Sequence, residues 1–223
     1  MKATIYSVFM DNIPWQVLDA QKRVMDKMTD IELVQYRTDR SHADTLGFIA
    51  DNSDDDVMIF MDIDCIPLND DIIGQTVQLA SQGFLFGNAQ SSSHIDSGKH
   101  AFVAPSFMAL SKKTYNELGC PSFRPTARGD VGEELTWVAE AVGVSRIMLM
   151  PVHFESSPTP VDMGGVVSNP ICWNVEGHLF GLNTTFVFQG RLATFHSFQS
   201  SLAQTERFIR KCDEVCKGII KFG

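Results

Sequence analysis

Five consecutive apolar residues, Val57 to Met61, run directly into Asp62 and Asp64. An uninterrupted apolar run is typical of an inner strand of a parallel sheet, because helices cover both faces of such a sheet. In open α/β sheets, ligands bind beyond the carboxyl ends of the strands. The stretch 57–63 is therefore predicted to be a buried strand that carries two carboxylates to the ligand-binding edge of a sheet.

The segments around this strand alternate between strand and helix patterns. Pro14 suits the first turn of a helix, and Ser41 followed by Asp44 is typical of a helix N-terminus. This alternation predicts a doubly wound α/β sheet. The predicted strands are 3–10, 31–37 and 57–63, and the predicted helices are 15–28, a helix beginning after Ser41, and 70–81.

The pattern changes in the second half of the chain. The segment 155–181 has no clear periodicity and is rich in Gly, Pro, Ser and Asn, which predicts a functional loop or lid. We find no interior linker that would divide the chain. The predicted strands are 84–89, 101–111 and 146–154, followed by the apolar stretch 184–198, and the predicted helices are one ending at Gly119, 130–142 and one near 201–220.

Charge and composition exclude several functions. The 223-residue chain has a formal net charge of −9, which argues against broad electrostatic binding to nucleic acid. We see no apolar window long enough for a membrane span and no signal peptide, so we expect a cytoplasmic protein. The five cysteines include no CxxC pair, which favours neither a disulfide framework nor a zinc ribbon.

The spacing of Asp62 and Asp64 has two interpretations. Residues i and i+2 of a strand point to the same face, so the two carboxylates would lie side by side. A divalent cation with a preference for oxygen ligands would relieve their repulsion, and such a metal can also hold a diphosphate. Alternatively, both carboxylates cap loop amides at the end of the strand.

Four blocks of the sequence resemble the GT-A-type nucleotide-sugar glycosyltransferases, and they occur in the order found in that family. They are the D-x-D strand 57–68, the acceptor-side segment 103–119, the acidic segment 129–135, and the late histidine block 194–201. The resemblance implies an α/β fold of the Rossmann-like GT-A type, with a mixed central sheet flanked by helices and a smaller acceptor-side subregion.

The resemblance also implies a division of labour within a single domain, 1–223. Residues 1–90 would form the nucleotide-sugar-binding half, and residues 91–223 the acceptor-binding and catalytic half. Many relatives carry a membrane anchor or an added domain, and this chain shows neither. We therefore expect an enzyme of the cytoplasm of a bacterium or of a virus-infected cell.

In a site of this family, Asp64 would be the principal carboxylate on Mn²⁺ or Mg²⁺. Asp62 would contact the ribose, or the metal through water, and His196 would complete the protein ligands. A histidine between two phenylalanines is also typical of a partly buried side chain with no ligand role. The competing histidines are His94, His100, His153 and His178.

Further residues are expected to contact the nucleotide sugar. Polar residues follow the first two predicted strands, Ile63 lies within the D-x-D, and a serine cluster follows His196. Serine hydroxyls can donate to phosphate, although such clusters are usually plain loop or helix cap. The candidates for nucleotide-sugar binding are Asp11, Asn12, Arg37, Asp39, His42, Ile63 and Ser200.

An inverting transfer needs a carboxylate that can take the proton of the acceptor hydroxyl. Asp130, Glu133 and Glu134 are the candidates, and Asp130 is favoured because it opens the predicted helix. Asp130 and Glu133 also make a D-x-x-E capping box, which explains both without chemistry. A retaining enzyme would use this segment only to bind the acceptor. Ser106 and Trp173 are the candidate acceptor-binding residues. Trp173 is a candidate because an aromatic face packs on a sugar ring.

The sequence therefore predicts a metal-dependent glycosyltransferase that moves a sugar from a nucleotide diphosphate donor to a hydroxyl acceptor. The acceptor could be a glycan, a lipid-linked sugar, a protein, or a hydroxymethylated base of viral DNA, so nucleic acid enters only as an acceptor. A nucleotidyltransferase is the alternative enzyme, although 9–18 lacks the glycine-rich, basic loop that a triphosphate requires. A non-catalytic nucleotide-sugar-binding module is the third hypothesis.

Overall fold

A computed structural model describes most of the chain. The described residues are 1–91, 100–155, 161–162, 167–168, 173–175, 178–180, 182–197 and 202–220. Side chains at 155–182 and 202–204 are outside this description. Ser200, the side chain of Trp173 and two of the competing histidines, His94 and His178, are therefore predictions on which the structure is silent.

The elements follow the predicted order closely in the first half of the chain. The helices are α1 (Trp15–Met28), α2 (His42–Asn52), α3 (Ile72–Ser81), α4 (Lys112–Glu117), α5 (Glu133–Val142) and α6 (Leu202–Cys216). The strands are β1 (Ala3–Phe9), β2 (Glu32–Arg37), β3 (Val57–Met61), β4 (Cys65–Pro67), β5 (Leu85–Ser91), β6 (Ala101–Ser111), β7 (Arg146–Glu155), β8 (Val161–Asp162), β9 (Val167–Ser168), β10 (Trp173–Val175), β11 (His178–Phe180), β12 (Leu182–Phe188) and β13 (Arg191–His196).

Within the described residues, nine strands form one mixed sheet in the order β2-β1-β3-β6-β5-β7-β12-β13-β4. The strands β2, β1 and β3 are parallel, and Ile5 of β1 lies between Leu33 of β2 and Ile59 of β3. All five residues of β3 are buried, as the apolar run predicts. The predicted fold class, a mixed α/β sheet flanked by helices, is confirmed.

The sheet curls because of one short connection. β3 ends at Met61 and β4 begins at Cys65, yet β3 is an inner strand and β4 is the far edge of the sheet, paired with β13. Three residues cannot span a flat sheet of this width, since a chain advances at most about 3.6 Å per residue. The far edge must therefore return to the carboxyl end of β3.

Several predicted boundaries differ from the structure, and the segment 155–181, predicted as a loop or lid, contains the short strands β8 to β11. Two of the differences concern the site. β3 stops at Met61, so Asp62 and Asp64 lie in a turn beyond the strand. Helix α5 begins at Glu133, after Gly132 in a left-handed conformation (φ 77°). Two features favour glycine at this position. Its backbone is left-handed, and a Cβ there would lie 2.5 Å from Cγ of Pro105.

Among the described helices, none is both long enough and apolar enough to cross a membrane.

Candidate metal and donor site

The turn 62–64 brings the two aspartates together. The amide of Cys65 donates to the carbonyl oxygen of Asp62 at 2.9 Å, and the amide of Asp62 donates to the carbonyl oxygen of Ser106 at 3.1 Å. These bonds close the turn and tie it to β6. The carboxylates are thus neighbours because the chain turns, and the i, i+2 geometry of a strand does not apply.

His196 reaches the same place from the far edge of the sheet. It is the last residue of β13 and pairs with Cys65 of β4. The amide of Ser197 donates to the carbonyl oxygen of Asp64 at 3.0 Å, which fixes the end of β13 against the turn. Nε2 of the buried His196 lies 3.3 Å from Oδ2 of Asp62 and 3.3 Å from Oδ1 of Asp64.

The charges of this cluster depend on one another. Burial alone would lower the pKa of His196, but the charge of Asp64 and the hydrogen bonds to both aspartates raise it to about 10. Burial likewise favours a high pKa for Asp62, but the hydrogen bond from His196 and the charges of His42 and His196 lower it. Without a metal, a protonated imidazole therefore provides the positive charge between the carboxylates.

The geometry of the cluster fits a divalent cation. Ligand atoms of Asp62, Asp64 and His196 all lie within 4.8 Å of one another. An octahedral site with ligand distances of about 2.1 Å places adjacent ligands about 3 Å apart and opposite ligands about 4.2 Å apart. Two carboxylates and one imidazole suit Mg²⁺ or Mn²⁺, and three protein ligands leave coordination positions open.

Two cavities meet at this cluster and a third adjoins one of them, and we name each cavity after one of its residues. The Arg37 cavity has a volume of about 750 Å³, the Ile63 cavity about 350 Å³ and the Ser106 cavity about 210 Å³. The Arg37 and Ile63 cavities share Met10 and Asn12. The Ile63 and Ser106 cavities share His42, Asp62 and His196. The cluster therefore lies between an outer cavity and a cavity that reaches β6 and the start of α5.

The Arg37 cavity contains four of the predicted nucleotide-sugar residues. Asp11, Asn12, Arg37 and Asp39 line it. Nη2 of Arg37 donates to Oδ2 of Asp11 at 2.6 Å, and Nε of Arg37 bonds the other oxygen. Sequence reasoning missed Phe48 of α2, whose ring lies 4.7 Å from the guanidinium of Arg40. This exposed aromatic ring gives the cavity one flat apolar wall.

His42 lies where the Ile63 and Ser106 cavities meet, and Ile63 lines the Ile63 cavity. His42 is the first residue of α2, whose N-terminus is capped by Ser41 through a bond from the amide of Asp44 at 3.1 Å. Nε2 of His42 lies 3.4 Å from Oδ1 of Asp62. Asp62 is therefore held between His42 and His196.

The Ser106 cavity contains Asp130 and Ser106, and also Gln90 and Phe102, which the sequence did not single out. Ser106 belongs to a buried polar network on β5, β6 and β13. Asn88 lies 3.4 Å from its hydroxyl and accepts a hydrogen bond from Thr194 at 2.6 Å. The sequence analysis did not single out Asn88. Its position as a polar residue within the apolar strand 84–89 is the signal that could have identified it.

The three acidic candidates at the start of α5 have different surroundings. Glu133 is 1% exposed, and its carboxylate bonds Nδ1 of His100 at 2.6 Å and the amide of Asp130 at 2.8 Å. Glu134 pairs with Arg128, with Nε and Oε2 3.0 Å apart. Asp130 accepts from the amide of Val131 at 2.7 Å and lines the Ser106 cavity.

No protein-family model matches the sequence, and no curated protein sequence matches it. Solved structures resemble the fold at low identity, and three of them are described below. A mannosyltransferase of Pyrobaculum calidifontis, solved with GDP-Man and Mn²⁺, is 13% identical over 66% of this chain and 54% of its own, with a TM-score of 0.47. A protein of STIV is 12% identical over 90% of this chain and 96% of its own, with a TM-score of 0.42.

The third structure is the bifunctional IspDF of Campylobacter jejuni. It is 11% identical over 70% of this chain and 50% of its own, with a TM-score of 0.41. The chain thus spans about half the length of the mannosyltransferase and of IspDF. Similarity at this level says nothing about the activity of this chain, which has to be inferred from the site itself.

Proposed function

We propose that the chain is a metal-dependent glycosyltransferase that moves a sugar from a nucleotide diphosphate donor to a hydroxyl acceptor. The observation that carries this proposal is the Asp62, Asp64 and His196 cluster, which lies where the Ile63 and Ser106 cavities meet. A metal-type cluster between an outer cavity and a carboxylate-lined inner cavity has room for a donor on one side and an acceptor on the other.

Asp64 and His196 would hold Mn²⁺ or Mg²⁺, with Asp62 as a further ligand or as a contact to the ribose. When bound, such a cation stabilises the negative charge that develops on the departing nucleoside diphosphate. His42 lies beside Asp62 at the N-terminus of α2, where backbone amides favour an anion, so it would contact the donor phosphates. Ser200 would donate to the same phosphates.

The nucleoside would occupy the Arg37 cavity. Asp11, Asn12, Arg37 and Asp39 offer both donors and acceptors for a base and a ribose. The ring of Phe48 offers an apolar face on which a base can stack. Ile63 would pack against the nucleotide between this cavity and the cluster.

The acceptor would occupy the Ser106 cavity, with Asp130 as the general base of an inverting transfer. Among the three acidic candidates, Asp130 is the one that lines this cavity. Glu133 would hold the backbone of Asp130 in place, whereas Glu134 pairs with Arg128 and would take no part in the transfer. Ser106 would bond the acceptor, and Trp173 would provide a platform for a sugar.

Calorimetric titration of UDP, GDP and CDP, each with and without Mn²⁺, tests the donor site. We expect one of the three to bind only in the presence of Mn²⁺. Asp64→Ala should abolish this binding and the metal-dependent hydrolysis of the matching sugar donor, while Asp54→Ala, at a side chain that is 85% exposed, should leave both intact. Full activity of Asp64→Ala would refute the metal assignment.

Two further outcomes distinguish the alternatives. Release of pyrophosphate from a nucleoside triphosphate and a sugar 1-phosphate would identify a nucleotidyltransferase. Mn²⁺-dependent donor binding without any hydrolysis or transfer would identify a binding module, because an active transferase usually leaks some sugar to water.

A further inference from the structure

Gln21 is a polar side chain on the buried face of α1, between Ala20 and Val24, and its exposure is 0%. Its Nε2 donates to the carbonyl oxygen of Asp62 at 2.8 Å and to that of Cys65 at 3.1 Å. These carbonyls belong to the first residue of the turn 62–64 and to the first residue after it. A single amide therefore ties both ends of the turn to α1.

Gln35 of β2 determines which way this amide points. Nε2 of Gln35 donates to Oε1 of Gln21 at 3.2 Å and to the carbonyl oxygen of Leu18 at 2.8 Å. Because an amide oxygen can only accept, the bond from Gln35 keeps the nitrogen of Gln21 directed at the turn. Gln35 precedes Tyr36 and Arg37, which line the Arg37 cavity.

The bond from Gln21 does more than satisfy the carbonyl of Asp62. That oxygen already accepts from the amide of Cys65 at 2.9 Å, so the turn is closed without Gln21. The additional bond from Gln21 restricts the conformations of a turn that carries two like charges. Residues that do not bind the metal but hold its ligands in position are important for affinity. Their mutation typically lowers the affinity for the metal by about 10- to 100-fold.

We propose that Gln21 is a positioning residue for the carboxylates of Asp62 and Asp64, that Gln35 orients it, and that the pair raises the affinity of the site for a divalent cation. This inference rests on the proposed function, since it requires the cluster to bind a metal. Gln21 lines none of the three cavities and is not a member of the cluster, so it would act only through the turn.

The test is the affinity of the metal alone, measured by electron paramagnetic resonance of free Mn²⁺ at a temperature where each variant is folded. Gln21→Met keeps the length of the side chain and removes both donors, so the dissociation constant of Mn²⁺ should rise about tenfold or more. Gln16→Met, on the exposed face of the same helix, should leave it unchanged. A folded Gln21→Met protein with wild-type affinity overturns the inference, whatever its melting temperature.

Gln35→Met provides a second, milder variant. It leaves Gln21 in place but removes the bond that orients it, so we expect a smaller rise in the dissociation constant. If Gln21→Met does not fold, the Gln35→Met result decides, and unchanged affinity overturns the inference. A wild-type protein that does not bind Mn²⁺ refutes the proposed function, whereas equal binding by wild type and variants refutes only the positioning role.

Discussion

Nε2 of His196 lies 3.3 Å from Oδ1 of Asp64, although the two residues come from opposite halves of the chain. The contact exists because β13 pairs with β4 and sets His196 opposite Cys65. The imidazole also reaches Asp62 at 3.3 Å. In the absence of a metal, this one positive charge lies between two carboxylates and offsets part of their repulsion, so its removal should destabilise the fold.

His196→Gln should destabilise the protein in EDTA. The change removes the positive group between Asp62 and Asp64 and leaves their charges facing each other. Breaking a buried pair costs about 3–5 kcal/mol, and water screens these carboxylates, which are 27% and 20% exposed, so we expect a loss of about 1–3 kcal/mol in the free energy of unfolding. Urea unfolding measures this loss.

The control is His153→Gln on β7, which should change the free energy of unfolding by less than about 0.5 kcal/mol. In wild type, adding Mn²⁺ should raise the midpoint of unfolding, because a ligand of the native state stabilises it. His196→Gln should lose most of that rise. A rise in the variant equal to that in wild type would contradict ligation by His196.

Asp130→Asn should reduce kcat for transfer by about 10²- to 10⁴-fold, which is the usual contribution of a general base. The affinity for Mn²⁺ should not change, because Asp130 lies in the Ser106 cavity and outside the Asp62, Asp64 and His196 cluster. Transfer is measured with the donor found by titration. Glu134→Gln is the matched control and should retain kcat, since Glu134 pairs with Arg128 near the surface.

Asp55 is a buried carboxylate that should matter for stability and not for activity. It is 1% exposed and accepts hydrogen bonds from Thr4 at 2.9 Å, from Ser53 at 2.6 Å and from Tyr6. Asp55→Asn replaces an acceptor by a donor amide among these hydroxyls, so it should lower the free energy of unfolding by about 2–3 kcal/mol. Asp54→Asn, at an exposed neighbour, should have little effect.

The same residue predicts a pH dependence. Burial works to raise the pKa of Asp55, but the hydrogen bonds from Ser53, Tyr6, Thr4 and Lys2 outweigh it and lower the pKa in the folded protein. Its stabilising effect is therefore complete above the unfolded-state pKa of about 3.9 and disappears as the pH falls through the folded-state pKa. The stability difference between wild type and Asp55→Asn should narrow below about pH 4. A constant difference from pH 7 to pH 3 would contradict this.

Gly132→Ala should disturb the approach to α5. The glycine has a φ of 77°, and an added Cβ would lie 2.5 Å from Cγ of Pro105. The backbone strain should cost about 1 kcal/mol, and the clash about 1–3 kcal/mol more. Gly143→Ala is a matched control, because its φ is also 77° but no atom lies within 4 Å of the added Cβ. Equal thermal destabilisation of the two variants would refute the steric contribution of Pro105.

The first half of the fold follows from local sequence patterns. Helical spacing and Pro14 predict the extent of α1, and the Ser41 cap predicts the start of α2. The apolar run 57–61 predicts a fully buried β3. Predictions were less accurate for boundaries that depend on tertiary contacts. Helix α5 begins later than predicted because Gly132, which has a left-handed backbone, packs closely against Pro105.

The sequence by itself determined the order of strands and helices from β1 to β3 and the position of Asp62 and Asp64 at the end of an inner strand. Both depend on periodicity and on residues close in the chain. The family resemblance implies His196 as the third ligand, but only the tertiary structure brings it to these aspartates and places Gln21 against their turn. Those contacts depend on the pairing of β4 with β13 and on the packing of α1 against the turn, and neither leaves a periodic signal in the sequence.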